Sequence, residues 1–160
     1  MTTLFLLRHA HAGDPERWSG DDAMRPLSDK GRRQAERVGR LLSDADEAPD
    51  LVVTSPKVRA AETAEIVAQM LGVPVVVDRR LEGPLDTEDL VAILAAAGPA
   101  DRPCIVGHDP DFSSLLGELI GVSVVPMRKG ALARVDFEGH VRSGRGVLRY
   151  LAPPELLSGK

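Results

Sequence analysis

The chain has 160 residues, 43% hydrophobic and 28% charged, with a formal net charge of −4 from 20 Lys and Arg against 24 Asp and Glu. That length suits one domain with a real core, the composition excludes disorder, and the charge gives no general pull toward nucleic acid or anionic membrane. A single cysteine, Cys104, excludes an intrachain disulfide and a cysteine-built zinc cage, and aromatics at 3% leave the core to Val, Leu, Ile and Ala.

Thr3 to Arg8 predicts a buried strand, apolar from Leu4 to Leu7. Arg8 and His9 follow where a signal peptide would continue, and no run approaches the roughly 18 apolar residues of a membrane span. A soluble, cytoplasmic domain over 1–160 is therefore expected. The polar stretch from Ala10 to Pro26 is long for a compact domain and is a candidate functional loop. Ser28 to Leu42 has helical spacing, with Ala35, Val38, Leu41 and Leu42 on one face. Leu51 to Thr54 predicts a second buried strand. Ser55-Pro56 reads as an N-cap with proline at the first helical position, opening a helix to about Leu71 that Gly72 ends. Val75 to Val77 is a third strand, and Thr87 to Ala97 a third helix with Leu90, Ile93 and Leu94 inward. Cys104 to Gly107 is a fourth strand. Asp109-Pro110 repeats the cap-and-proline signature before a helix to Ile120, closed by Gly121. Ala131 to Phe137 and Gly146 to Leu151, joined through a turn-rich stretch, predict a terminal hairpin. Strand–helix alternation with continuous apolar strands implies an α/β fold. The expected sheet is mainly parallel, with helices on both faces and an antiparallel edge.

Ligands of such sheets collect at the carboxyl ends of the strands. Strand one ends in Arg8-His9. Strand two leads through Thr54-Ser55-Pro56 to Arg59, strand three is followed by Arg80, Leu81 and Glu82, and strand four ends in Gly107-His108. Singly, each has an ordinary explanation: an Arg-His pair at a strand end, a solvated helix arginine, a capping histidine. Jointly, two arginines, two histidines, a carboxylate and two helix N-termini describe an anion pocket with a possible histidine nucleophile.

The segments Leu7-Arg8-His9-Ala10, Thr54-Ser55-Pro56 with Arg59-Ala60 and Glu62-Thr63, and Val106-Gly107-His108 resemble, in order, the signatures of the histidine phosphatase superfamily, the phosphoglycerate-mutase-like group. Arg25-Pro26-Leu27-Ser28 with Gly31 and Gln34-Ala35 resembles its short SixA-type phosphohistidine phosphatase branch. The resemblance implies a three-layer α/β/α sandwich of the phosphoglycerate-mutase-like kind over nearly the whole chain. It implies His9 as a transiently phosphorylated nucleophile, with Arg8, Arg59 and His108 around the phosphoryl group and Glu82 in the region of the proton donor. Ala10 stands where a glycine is usual, His11-Ala12-Gly13-Asp14 replaces a Thr and an Asn of larger members, and Gly83-Pro84 departs from the mutases' motif. His11, Asp14 or no dedicated acid at all are thus alternatives to Glu82.

Phosphoryl transfer needs an in-line nucleophile and cations on the equatorial oxygens, so an Arg/Arg/His clamp serves without a metal, and no cofactor is expected. Two other readings differ in class. His9-x-His11 with His108-Asp109 could be metal ligands, but metallohydrolases that begin this way need a far longer barrel. A non-catalytic phosphate-binding module would not need the intact set. Mutases exclude water under a lid, and the segment from Asp78 to Asp86 is too short for one, so an open pocket and net hydrolysis are expected. The expected substrate is a phosphohistidine on a partner protein. A small phosphorylated metabolite, a nucleotide or a sugar phosphate, is the alternative. Trp18 in the 10–26 loop is read as bordering the pocket or simply packing, Cys104 as a small core residue and His140 as solvated.

Overall fold

The computed structural model describes residues 1–157. Its strands are β1 (Thr2–Arg8), β2 (Leu51–Thr54), β3 (Val75–Val77), β4 (Pro103–Gly107), β5 (Leu132–Phe137) and β6 (Val147–Ala152). Its helices are α1 (Asp29–Ser43), α2 (Val58–Leu71), α3 (Thr87–Ala97) and α4 (Asp111–Ile120). The strands form one sheet in the order β3-β2-β4-β1-β5-β6. The first four pair parallel, while β5 runs antiparallel to β1 and β6 antiparallel to β5, which is the expected antiparallel edge.

Alternation along the central strands explains the layers, because successive side chains leave a strand on opposite faces. Leu4, Leu6, Val53 and Ile105 pack on one side with Leu90 and Ile93 of α3 and Phe112, Leu115 and Leu119 of α4. Phe5, Leu7, Val52, Cys104 and Val106 pack on the other with Val38 and Leu42 of α1 and Ala60, Ala64 and Val67 of α2. The result is a three-layer α/β/α sandwich. No described helix is long and apolar enough to cross a membrane.

Three local expectations shift. Leu41 is 44% exposed, whereas Gly31 and Gln34 join Ala35, Val38 and Leu42 on the buried face of α1. Ser55 does not cap α2, which starts at Val58 after Lys57, because its hydroxyl instead meets Lys57 N at 3.2 Å and His108 Nε2 at 2.8 Å. The last helix likewise starts at Asp111, although Asp109 Oδ1 still accepts from Ser113 N at 2.9 Å and so satisfies a first-turn donor.

Register sets what lies at the sheet's carboxyl edge. Arg8 pairs with Gly107 and Thr54 with Val106, so β1, β4 and β2 end side by side. The next residues stay in step, with His9 N donating to Gly107 O (3.0 Å) and Ser55 N to Val106 O (3.1 Å).

Candidate active site

This shared edge brings His9, His108, Arg8 and Arg59 together. The His9 and His108 rings are 5.2 Å apart between centroids, and both residues are buried, at 5% and 6% exposure. His9 Nδ1 lies 2.8 Å from Ala10 O. A carbonyl can only accept, so Nδ1 carries the proton and the neutral ring has a bare lone pair on Nε2. Burial, with the charges of Arg59, Arg8 and Lys129, lowers the His9 pKa to about 3 despite that hydrogen bond. Burial lowers His108 to about 3 as well, aided by His9, Lys57, Arg59 and Arg8. Both imidazoles are therefore neutral at pH 7.

The arginines are braced from opposite sides. Arg8 Nη1 donates to Met127 O (2.7 Å) and lies 3.6 Å from Asp109 Oδ2. Arg59, on the first turn of α2, donates to Asp22 O (2.9 Å) and pairs with the Asp22 carboxylate at 3.2 Å. Asp22 also accepts from Arg25 Nε at 3.0 Å, and Arg25 reaches Ala12 O at 2.7 Å. These bonds fold the 10–26 loop back over the site, and a short 3-10 turn, Asp22–Met24, brings Asp22 to Arg59. The segment after β3 holds only a second such turn, Arg79–Glu82.

The described residues contain three buried side-chain polar atoms without a partner: Arg8 Nε, Arg59 Nε and His108 Nδ1. Buried polar atoms are rarely left unpaired, and all three belong to this cluster. The site lacks an acceptor that could meet two guanidinium edges and an imidazole at once, and an oxyanion has that chemistry.

Not every expected residue joins. Arg80 forks onto Asp78 at 2.9 and 2.6 Å. Glu82 is exposed, its carboxylate has no partner among the described residues, and it is not among the charges acting on Arg8 or Arg59. His11 Nδ1 meets Ser28 Oγ at 2.6 Å, at the N-cap of α1, and Asp14 caps the turn Pro15–Arg17. Trp18 donates to Asp21 O (3.0 Å) and lines a cavity of about 250 Å³ with Asp14, Arg25 and Leu27. Cys104 is fully buried, its thiol pushed up to about 12 by burial alone, and His140 is exposed. Asp22, Arg25, Asp109 and Lys129 are additions. Asp22 is tied to Arg59 and Asp109 to Arg8, pairings that join residues far apart along the chain and that no local pattern marks as part of the site.

Residues 4–83 match the family model of the histidine phosphatase superfamily, branch 1. The chain belongs to the histidine phosphatase superfamily. Among superfamily structures, that of the protein histidine phosphatase SixA complexed with tungstate superposes with a TM-score of 0.83 at 25% identity, covering 98% of this chain and 100% of that one. A mycobacterial glucosyl-3-phosphoglycerate phosphatase superposes at 0.71 and 22% identity, over 96% and 100% of the two chains, a likeness of fold. A 2,3-bisphosphoglycerate-dependent phosphoglycerate mutase of Thermobifida fusca is 39% identical over 77 residues, 45% of this chain and 30% of the mutase. The chain spans from 20% to 67% of the length of the curated relatives it matches.

Proposed function

We propose that this superfamily member is a metal-independent phosphatase working through a phosphohistidine on His9. The observation that carries this is the trio of unpartnered atoms, Arg8 Nε, Arg59 Nε and His108 Nδ1, beside an imidazole whose Nε2 lone pair is bare. In this reading His9 Nε2 attacks phosphorus in line and the bond to the leaving group breaks. Water then attacks the phosphohistidine, releasing inorganic phosphate and returning the electron pair to Nε2. Arg8 and Arg59 hold the equatorial oxygens. Ser55 Oγ accepts from Lys57 N and is able to donate its own proton to His108 Nε2, which leaves His108 Nδ1–H to bond a phosphoryl oxygen. Where the leaving group is an alkoxide, Glu82 would have to reach it from the exposed turn after β3 to supply the proton.

A phosphohistidine on a partner protein is the substrate we favour. The likeness to SixA supports it, as does the short 78–86 segment, which adds no lid over an incoming protein. An imidazole leaving group has a pKa near 6.5 and takes its proton from solvent, so an exposed, unclamped acid suffices. A small phosphorylated metabolite has one observation in its favour, a cationic cavity of about 310 Å³ bordering Arg8. Rapid quench with ³²P-labelled substrate tests the mechanism. Acid-labile label is expected on the native protein and absent from a folded His9→Ala variant. Label persisting on that variant would move the nucleophile elsewhere.

A further inference from the structure

A cavity of about 310 Å³ is lined by Arg8, His11, Lys30, Gln34, Arg128 and Lys129, together with the one carboxylate of Glu155. It shares Arg8 with the phosphoryl cluster but includes neither His9, Arg59 nor His108. We propose that Lys129 and Lys30 make this cavity a second anion site, so that the preferred substrate carries a carboxylate or further phosphate close to its transferable phosphoryl group. This rests on the phosphatase reading above and narrows it.

Lys129 is held in place by the nucleophile's own strand. Arg8 Nη1 donates to Met127 O at 2.7 Å, and Gly130 N donates to both Arg8 O (3.1 Å) and His9 O (3.0 Å). Arg8 N in turn donates to Ala131 O (3.1 Å), and Ala131 N closes the turn onto Arg128 O (2.9 Å). Gly130 has φ +80°, in the left-handed region that favours glycine, and a Cβ there would lie 3.2 Å from Gln34 Oε1. That oxygen already accepts from His11 N at 2.9 Å. The residues that flank Lys129 in the turn are therefore bonded to the backbone of Arg8 and His9.

Among the described residues no carboxylate pairs with Lys129 at ion-pair distance, although Glu155 lines the same cavity and Asp14 acts on it from farther off. Arg8 has Asp109, Arg25 and Arg59 share Asp22, and Arg128 has Glu155 at 2.6 Å. Lys129 is half-buried, and its ammonium has no hydrogen-bond or ion-pair partner among the described residues. Burial and the charges of Arg8, Arg25 and Arg59 lower its pKa against the weaker pull of Asp14. A half-buried cation in a cationic neighbourhood is costly unless a ligand brings the counter-charge. The phosphoryl dianion answers the guanidinium edges, and the cavity with Lys129 and Lys30 has room for another group.

Calorimetry with two non-hydrolysable ligands, 3-phosphonopropionate and propylphosphonate, isolates that group because they differ only in a carboxylate. The carboxylate compound should bind about tenfold tighter, the scale of one charge-assisted hydrogen bond. Lys129→Met should erase the preference, weakening 3-phosphonopropionate far more than propylphosphonate, and Lys129→Arg should restore it. The source of the anion is read from kcat/KM on phosphohistidine peptides with Glu or Gln beside the phosphorylated residue. A Glu preference lost in Lys129→Met identifies a protein side chain, and a preference confined to the phosphonates identifies a small substrate. Equal binding of both phosphonates together with equal peptide rates would overturn the second site. So would a loss of propylphosphonate binding in Lys129→Met as large as that of 3-phosphonopropionate, since Lys129 would then serve the phosphoryl group itself. A carboxylate preference without label on His9 would sink the catalytic reading and leave the second site standing.

Discussion

At the scale of single residues, the site works by withholding partners. His9 and His108 are stripped of water and surrounded by cations, so both stay neutral, and the arginines keep one edge each unsatisfied. Asp22 sets the geometry of one side, since its carboxylate pairs with both Arg25 and Arg59 and is held below its ordinary pKa chiefly by the Arg25 hydrogen bond. Arg59→Ala removes a donor that needs no reorganisation when charge develops. Steady-state kinetics should show a loss of about 2.7–4 kcal/mol in kcat/KM, the scale of one deleted preorganised donor. An effect within a factor of two would place Arg59 outside the reaction.

At the scale of elements, α1 and the strand end are locked by contacts that tolerate no side chain. Ser28 Oγ accepts from Gly31 N (3.0 Å) and Ser28 N donates to His11 O (3.1 Å), so the helix begins against the backbone that follows His9. A Cβ on Gly31 would fall 1.9 Å from His11 O, which is backbone and cannot turn aside. Gly31→Ala should therefore destabilise by about 1–3 kcal/mol through overpacking. Urea unfolding measures that loss, and kcat should fall with it because residues 9–11 must move. A neutral result would mean that α1 slides without disturbing the strand end.

At the scale of the whole molecule, the buried neutral histidines tie stability to pH. Their folded pKa values lie at about 3 and the unfolded value near 6.5, so between those limits the unfolded chain binds more protons. Stability should be complete above about pH 6.5 and decline as pH falls toward 3. Asp22, Asp78 and Asp136 titrate below their ordinary range, but His11 is also lowered and Asp111 raised by burial, so the share of His9 and His108 is read from the difference between two proteins over pH 6.5 to 5. The urea midpoint of a His9→Ala, His108→Ala double variant should fall less over that interval than the native one, and parallel curves would contradict the burial argument. The exposed place of Glu82 in the turn after β3 makes a second prediction at this scale. Glu82→Gln should reduce kcat/KM for alkyl phosphates far more than for phosphohistidine, because only the alkoxide needs a positioned acid. An equal fall on both substrates would assign Glu82 to binding or structure.

The sequence by itself determined the strand and helix order, the α/β class, the antiparallel edge, and His9, Arg8, Arg59 and His108 as one constellation. Apolar runs, caps and strand-end positions are local patterns, and a parallel sheet collects strand ends on one edge whatever the details. Only the tertiary structure decided what braces that constellation. Asp22 lies 37 residues from Arg59 and Met127 119 residues from Arg8. No local pattern announces a pair separated so far, since such contacts exist only once the register of β1 against β4 is set. The same holds for the surplus charge of Lys129. A lysine in a turn reads as solvated until folding draws three arginines around it, with no ion-pair partner for it among the described residues.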